Sequence, residues 1–159
     1  MLELNINSYV TLAEANAYFG DRAQASAWTS ASDPVKEQAL ITASSMLNEL
    51  IWVGVATSDS QTLAFPRMAS YVEPILGKLL ELDPQVVPKR IKSATFEQAY
   101  QLVINDGILD DTGSISKIKV DVIELEGLDG YNSKPQRFSP MAQAQYYPLT
   151  MEGCLAINR

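Results

Sequence analysis

The chain has 159 residues, of which 47% are hydrophobic, and this length suits one domain that buries a core without disulfides or metals. Its 12 basic and 19 acidic side chains give a net charge of −7, opposite to the basic footprint typical of nucleic-acid-binding proteins. The chain has no histidine and one cysteine, Cys154, so it lacks the commonest general base and an internal disulfide. We therefore expect no enzymatic activity, no cofactor and no metal site. The sequence shows neither a signal segment nor a membrane span, which predicts a soluble protein of a reducing compartment.

Two helix signals stand in the first third of the chain. Thr11 and Glu14 have the spacing of a capping box, which predicts a short helix of about ten residues. Ser32, as an N-cap whose hydroxyl accepts a backbone hydrogen bond, and Pro34 begin the clearest helix of the sequence, over 32–50. Apolar residues recur on one face of this second helix, so one side is expected to be buried.

The middle of the chain predicts irregular turns and then a long helix. Pro74 and Gly77 interrupt residues 68–82, so we expect broken helical turns there. Pro88 begins a helix that extends to about residue 105 and carries two adjoining apolar faces. This wide apolar surface predicts the central helix of a bundle.

The last third predicts a β element followed by a tail. Residues 116–126 alternate between charged and apolar side chains and change phase at Ile123, which predicts a strand with a bulge or a kinked end. Residues 127–148 contain five glycines and prolines and little apolar periodicity. The expected fold is mainly α: a small helical-bundle domain over 1–107, a short β element over 108–126, and an extended C-terminal arm over 127–159.

The arm lacks a core of its own, and such a segment is usually ordered by a partner, so we expect it to dock on a neighbouring chain. Its candidate anchors are aromatic residues of the kind enriched in interface hot spots, namely Tyr131, Phe138, Tyr146 and Tyr147. The alternative is that these rings pack against their own domain. Arg67 lies beside a turn fixed by Pro66 and is expected to pair with an acid of its own or of a neighbouring subunit.

The sequence has no dinucleotide-binding or phosphate-binding glycine motif and no serine nucleophile elbow. Its best basic cluster is Lys89, Arg90 and Lys92, in the first turn of the helix that begins after Pro88. This cluster can face DNA phosphates, and the alternative is a solvated helix face. A protein that binds single strands is expected to expose aromatic side chains in a basic groove.

Several short blocks occur in a fixed order along the chain. They are S-Y-V-T-L-A-E-A from Ser8, Y-F from Tyr18, Trp28, K-E-Q-A-L-I-T-A from Lys36, W-V-G from Trp52, Gln61, F-P-R from Phe65 and V-P-K-R-I-K-S-A from Val87. In this order and spacing they resemble a bacteriophage family often labelled DnaT-like single-stranded DNA-binding, which is similar to the head-to-tail connector (adaptor or head-completion) proteins of tailed phages. The resemblance covers about residues 8–105.

The connector resemblance implies a structural virion protein that forms a homo-oligomeric ring, commonly a dodecamer, under the portal. Such a ring links the portal to a downstream neck or tail protein, lines the channel for double-stranded DNA without binding it specifically, and passes through the host cytoplasm during assembly. It implies no membrane contact. A ring of acidic subunits would repel duplex DNA, which suits a conduit. The alternative is a single-stranded DNA-binding protein of the DnaT-like type, against which the acidic balance argues.

Overall fold

The structure is a computed structural model that describes residues 1–23, 25–105, 117–120, 123–126 and 137–157. About half of these residues are helical, and the strands form small sheets, which agrees with the expectation of a mainly α fold. A helix long and apolar enough to cross a membrane is not found among the residues described.

The described elements alternate between helices and short hairpins. The helices are α1 (Leu12–Gly20), α2 (Ser26–Ser30), α3 (Asp33–Asn48), α4 (Lys89–Ile104), α5 (Pro140–Tyr146) and α6 (Met151–Ile157), with a 3₁₀ turn at Tyr147–Leu149. The antiparallel strand pairs are β1 (Val55–Ala56) with β2 (Arg67–Met68), β3 (Ser70–Glu73) with β4 (Lys78–Glu81), and β5 (Lys117–Val120) with β6 (Ile123–Glu126).

The starts of α1 and α3 follow the sequence signals to different degrees. The Thr11 hydroxyl accepts a hydrogen bond from the Glu14 N–H at 3.1 Å, and the Glu14 carboxylate accepts one from the Thr11 N–H at 2.8 Å, which confirms the capping box. Ser32 is the N-cap residue of α3, but its hydroxyl makes no capping hydrogen bond, so that detail of the prediction is wrong. The helix itself is confirmed, and it ends two residues earlier than expected, at Asn48.

The core lies around α4, which packs against α3, α2 and α5. Fully buried side chains come from α3 (Leu40 and Leu47), from α4 (Ile91) and from the segment before α1 (Tyr9). The Tyr9 hydroxyl donates to the side chain of Asn48, which ties the N-terminal segment to the end of α3. The central position of α4 confirms the prediction made from its two apolar faces.

The prediction of broken helical turns over residues 68–82 is wrong, because β3 and β4 form an antiparallel hairpin there. Pro74 and Gly77 belong to the turn of this hairpin. Gly77 has a φ of 61°, a conformation that glycine adopts without steric cost, and its N–H donates to the Glu73 carbonyl oxygen at 2.8 Å. The same two residues that interrupt a helix therefore fold the chain back on itself.

Residues 116–126 were expected to form one strand with a bulge or a kinked end, and the structure has two strands in a hairpin instead, β5 and β6. The change of phase at Ile123 marks the first residue of β6. The predicted boundaries of the three domains lie outside the described residues or at their edge, so they stay predictions.

The described part of the predicted arm, residues 137–157, is helical rather than extended. The Ser139 hydroxyl caps α5 by accepting a hydrogen bond from the Ala142 N–H at 3.0 Å. Tyr146 of α5 and Leu149 of the 3₁₀ turn are buried. Gln98 of α4 holds the start of this segment, since its side chain accepts from the Ser139 N–H at 2.9 Å and donates to the Arg137 carbonyl oxygen at 3.3 Å. The segment thus completes the core of its own domain.

Candidate nucleic-acid interface

Two concave surfaces flank the start of α5 and meet at Pro140. The first groove, of about 390 Å³, runs between α1, α4 and α5, and its lining includes Phe19, Arg22, Glu97, Tyr100, Gln101 and Met141. The second groove, of about 610 Å³, lies between the β3–β4 turn and the α5 segment, and its lining is Pro74, Pro140, Gln143, Ala144, Tyr147 and Pro148. The second groove is the shallower and more open of the two.

The aromatic rings of the first groove are engaged with one another. Phe19 is buried, and its ring lies 5.3 Å from that of Tyr100 and 4.6 Å from that of Trp28, measured between centroids. Next to the groove, outside its lining, Tyr18 stacks on Phe96 at 4.6 Å. These contacts use the ring faces that a nucleobase would need, so the first groove is a poor stacking site.

The charge of the first groove is also internally paired. Arg22 forms an ion pair with Glu97, whose carboxylate accepts a hydrogen bond from the Tyr18 hydroxyl at 2.6 Å. Burial and the hydrogen bond to Glu97 raise the pKa of Tyr18 to about 12. The guanidinium of Arg22 lies 5.4 Å from the centroid of the Tyr18 ring. The charge of Arg22 is therefore used in contacts within the domain.

The second groove exposes an aromatic ring. Tyr147 is the first residue of the 3₁₀ turn after α5, and it is 38% exposed, whereas the neighbouring Tyr146 is 6% exposed. The exposed Pro74 adds apolar surface to the groove. Pro148 and Leu149 are buried, so the backbone that carries Tyr147 is anchored in the core. A base of any type can stack on such an exposed ring, so binding of this kind depends little on DNA sequence.

A cluster of charged and polar side chains behind the second groove fixes its shape. Arg90 at the start of α4 binds Glu73 of β3 through two nitrogens, with Nε 2.8 Å from Oε2. The Tyr71 hydroxyl donates to the same carboxylate at 2.8 Å, and Arg90 Nη1 lies 3.5 Å from the Gln145 carbonyl oxygen. The hydrogen bonds from Arg90 lower the pKa of Glu73 to about 2. The cluster joins the hairpin, α4 and α5, so the groove is preformed.

The predicted basic cluster does not act as a unit. Arg90 is paired with Glu73, and the Lys92 ammonium lies 2.7 Å from the Glu14 carboxylate. Lys89 is exposed and makes no ion pair within the described part of the chain. Lys78, which the sequence reasoning did not single out, is exposed on β4 opposite Glu73. Recognising Pro74 and Gly77 as a hairpin turn is the signal that would have placed Lys78 opposite Glu73, next to the turn that contributes Pro74 to the groove.

The predicted aromatic anchors have different surroundings. Tyr146 packs edge-on against Phe138 at 5.2 Å and against Trp52 at 6.0 Å, measured between ring centroids. Phe138 and Tyr146 therefore pack against their own domain, which was the alternative to docking on a neighbour. Tyr147 is exposed. Tyr131 lies outside the described residues. Docking of the tail on a neighbouring chain stays a prediction.

Arg67 binds backbone rather than an acid. Its guanidinium donates to the carbonyl oxygens of Val53 at 3.1 Å, Ala64 at 3.2 Å and Gly54 at 2.7 Å. Among the residues that the structure covers it has no carboxylate partner, and its donors are used by these carbonyl oxygens, so pairing with an acid of its own subunit is not observed. Arg67 closes the loop between β1 and β2, and pairing with a neighbouring subunit stays a prediction.

The described residues thus form a mainly helical domain with two grooves and internally paired charged clusters. Residues 2–153 match the model of a family described as "Putative DnaT-like ssDNA binding protein", and because this match covers nearly the whole chain, the protein belongs to that family. No curated protein and no solved structure matches the chain.

The prediction of a head-to-tail adaptor is wrong on this finding, because the matched family is described by single-stranded DNA binding and no phage connector is found. The adaptor prediction followed from the resemblance, with the net charge of −7 as support against the single-strand alternative, although a net charge does not show where the exposed cations lie. The ring of copies, the portal and neck partners, and the virion location stay untested expectations.

The absence of enzymatic activity also stays a prediction. Within the described ranges, no group of three or more cysteine, aspartate or glutamate side chains lies close enough to hold a metal ion.

Proposed function

We propose that this protein binds single-stranded DNA and that its second groove receives the bases. The match of residues 2–153 to the DnaT-like family carries the proposal. Binding of single strands requires an exposed aromatic platform and cations near it that are not already paired. Tyr147 is the exposed ring, and Lys78 and Lys89 are exposed cations on the two elements joined behind the groove by the Glu73–Arg90 pair.

The groove favours an unstacked base over a duplex. The ring of Tyr147 and the exposed Pro74 offer apolar surface to a base that has left its stack. A duplex keeps its bases stacked, so none is free to lie on the ring, and its higher charge density is repelled more strongly than that of a single strand by a chain of net charge −7. We therefore expect a preference for single strands with little dependence on base sequence.

The small number of unpaired cations sets the expected salt dependence. If Lys78 and Lys89 each contact one phosphate, the logarithm of the association constant falls with the logarithm of salt concentration with a slope of about −1.4. This slope is shallow compared with that of a strongly basic DNA-binding protein, so binding is moderate in strength and persists as salt increases.

The test is a fluorescence anisotropy titration of labelled oligo-dT with the full chain at several salt concentrations. We expect saturable binding with the shallow slope given above. A duplex carrying the same label is the matched control, and it should bind more weakly. No binding of oligo-dT at low salt, or equal binding of the duplex, would overturn the proposal.

A further inference from the structure

We propose that the tip of the β3–β4 hairpin lies against the last base pair of a duplex, so that the ligand of this protein is a junction between single-stranded and double-stranded DNA. This inference rests on the proposed function and names the class of DNA that the second groove meets. The tip is the turn between Glu73 and Lys78, and it consists of Pro74, Ile75, Leu76 and Gly77.

The tip exposes an apolar surface. Ile75 is 85% exposed and Leu76 58%, although the residues favoured in turns are glycine, proline and short polar side chains. Pro74 is exposed beside them. The three side chains are consecutive, and a contiguous apolar surface of this kind marks an interaction site.

Hydrogen bonds to Glu73 hold the tip in one shape. The Glu73 carbonyl oxygen accepts from the Gly77 N–H at 2.8 Å and from the Leu76 N–H at 3.1 Å. Its carboxylate accepts from the Ile75 N–H at 3.2 Å and is bound by Arg90 of α4. The tip is therefore preorganised, which lowers the conformational entropy lost when a ligand covers it.

The base pair at the end of a duplex fits this tip in shape and in charge. Its outer face is flat and apolar, and the phosphates lie around it rather than on it. Isoleucine and leucine side chains lie against base faces in proteins that open a base step. The turn itself carries no charge, since Glu73 before it is paired with Arg90 and Lys78 after it is an exposed cation. The apolar side chains can thus meet the base pair while Lys78 faces a phosphate.

The tip also lies where the neighbour of a base in the second groove would be. Ile75 follows Pro74, which lines the groove, so their Cα atoms are about 3.8 Å apart. Successive stacked nucleotides are separated by a similar distance, about 3.4 Å. When one base lies on Tyr147, a strand that becomes double-stranded just beyond it presents its first base pair to the tip. A protein partner on the tip would lack this continuity with the groove.

The first test is a fluorescence anisotropy titration of the full chain with an oligo-dT strand and with the same strand extended by a duplex. Junctions with a 5′ tail and with a 3′ tail are both used. We expect one of them to bind about fivefold more tightly than oligo-dT alone, as partial burial of two aliphatic side chains predicts. Ile75→Ser combined with Leu76→Ser should abolish this preference. It should leave the affinity for oligo-dT within about twofold of wild type, because an unpaired base loses conformational freedom when it is held on the tip.

Ile51→Ser is the matched control for the double substitution. Ile51 is 74% exposed and lies outside the hairpin, so this variant should keep the preference for the junction. Equal binding of oligo-dT and both junctions by wild type would overturn this inference and leave the proposed function standing, and so would a preference that survives the double substitution. Absence of oligo-dT binding would overturn the proposed function and this inference with it.

The second test locates the contact by disulfide cross-linking in a Cys154→Ser background. The junction carries an activated disulfide on a short tether at its last base pair. Ile75→Cys should cross-link to it, because its thiolate attacks the tethered disulfide and displaces the small thiol only at close range. Ile51→Cys is the control and should not cross-link. Cross-linking of both variants to the same extent, or of neither, would contradict the contact between the tip and the base pair.

Discussion

The two grooves beside α5 are built from similar parts and differ in what those parts are free to do. Each groove has a cluster of one glutamate, one arginine and one tyrosine: Glu97 with Arg22 and Tyr18 at the first groove, Glu73 with Arg90 and Tyr71 at the second. In the first groove the arginine and glutamate form part of the lining, and the aromatic rings pack on one another. In the second groove the cluster lies behind the surface and leaves Tyr147 exposed.

This difference shows that the composition of a groove does not decide its use. Both grooves contain tyrosine, but only a ring with an unoccupied face can receive a base. In the first groove the charged cluster and the ring pairs complete the packing of α1 on α4, so the surface is structural. In the second groove the same type of cluster works as a support, and the exposed residues in front of it are available for a ligand.

The largest effect is a loss of stability, expected when the carboxylate of Glu73 behind the second groove is removed. Glu73→Gln should lower the free energy of unfolding by about 3 kcal/mol at neutral pH, because it leaves the half-buried guanidinium of Arg90 without its partner. Urea unfolding measures this change. Glu81→Gln, at an exposed position of the same hairpin, is the control and should change stability by less than about 0.5 kcal/mol.

The stability that Glu73 provides should also depend on pH. Its pKa in the folded protein is about 2, below the usual 4.5, so the contribution is complete above about pH 4.5 and is lost as the pH falls toward 2. The gap in stability between wild type and Glu73→Gln should therefore narrow over this range. A gap that stays constant from neutral pH to pH 2 would show that the carboxylate is not held by Arg90.

The second largest effect concerns the two tyrosines that line the grooves. Tyr147→Ala should weaken binding of oligo-dT about tenfold, because stacking of one base on an aromatic ring is worth roughly 1–3 kcal/mol. Tyr147→Phe keeps the ring and should bind as wild type does. Tyr100→Ala, in the first groove, should alter affinity by less than about threefold while lowering stability, since its ring packs on Phe19. The reverse order of affinities would assign the first groove to DNA.

The smallest effect is on DNA affinity, and it distinguishes the unpaired cation Lys89 from the paired cation Lys92 at the start of α4. Lys89→Gln should weaken binding of oligo-dT two- to threefold at low salt and make the salt slope shallower by about 0.7, as expected for one lost phosphate contact. Lys92→Gln removes a cation that is already paired with Glu14, and it should leave the slope unchanged. Equal slopes for both variants would mean that Lys89 does not meet phosphate.

The helices could be predicted from the sequence because their signals are local. The Thr11–Glu14 capping box and Pro88 lie within a few residues of the helix starts that they mark, and both starts are observed. Pro74 and Gly77 are equally local, but a proline followed by a glycine fits either the end of a helix or the turn of a hairpin. The hairpin is joined to the rest of the fold by the contact of Glu73 with Arg90, seventeen residues away, and a local pattern does not contain that information.

The exposed tyrosine could not be distinguished from its neighbours by type. Phe138, Tyr146 and Tyr147 are all large aromatic residues in a segment without clear periodicity, and only the fold decides which one is buried. Helix α5 places Ala142 and Tyr146 on its buried face, and the following turn directs Tyr147 outward. The candidate site therefore needs the tertiary packing of residues that are far apart in sequence.

The contacts of Gln98 also bear on how the protein folds. They join α4 to Arg137 and Ser139, which lie 39 and 41 residues further along the chain. Contacts between residues so far apart in sequence close a long stretch of chain, and this entropy has to be offset before the contacts stabilise the fold. The docking of α5 on α4 should therefore form late in folding and limit its rate.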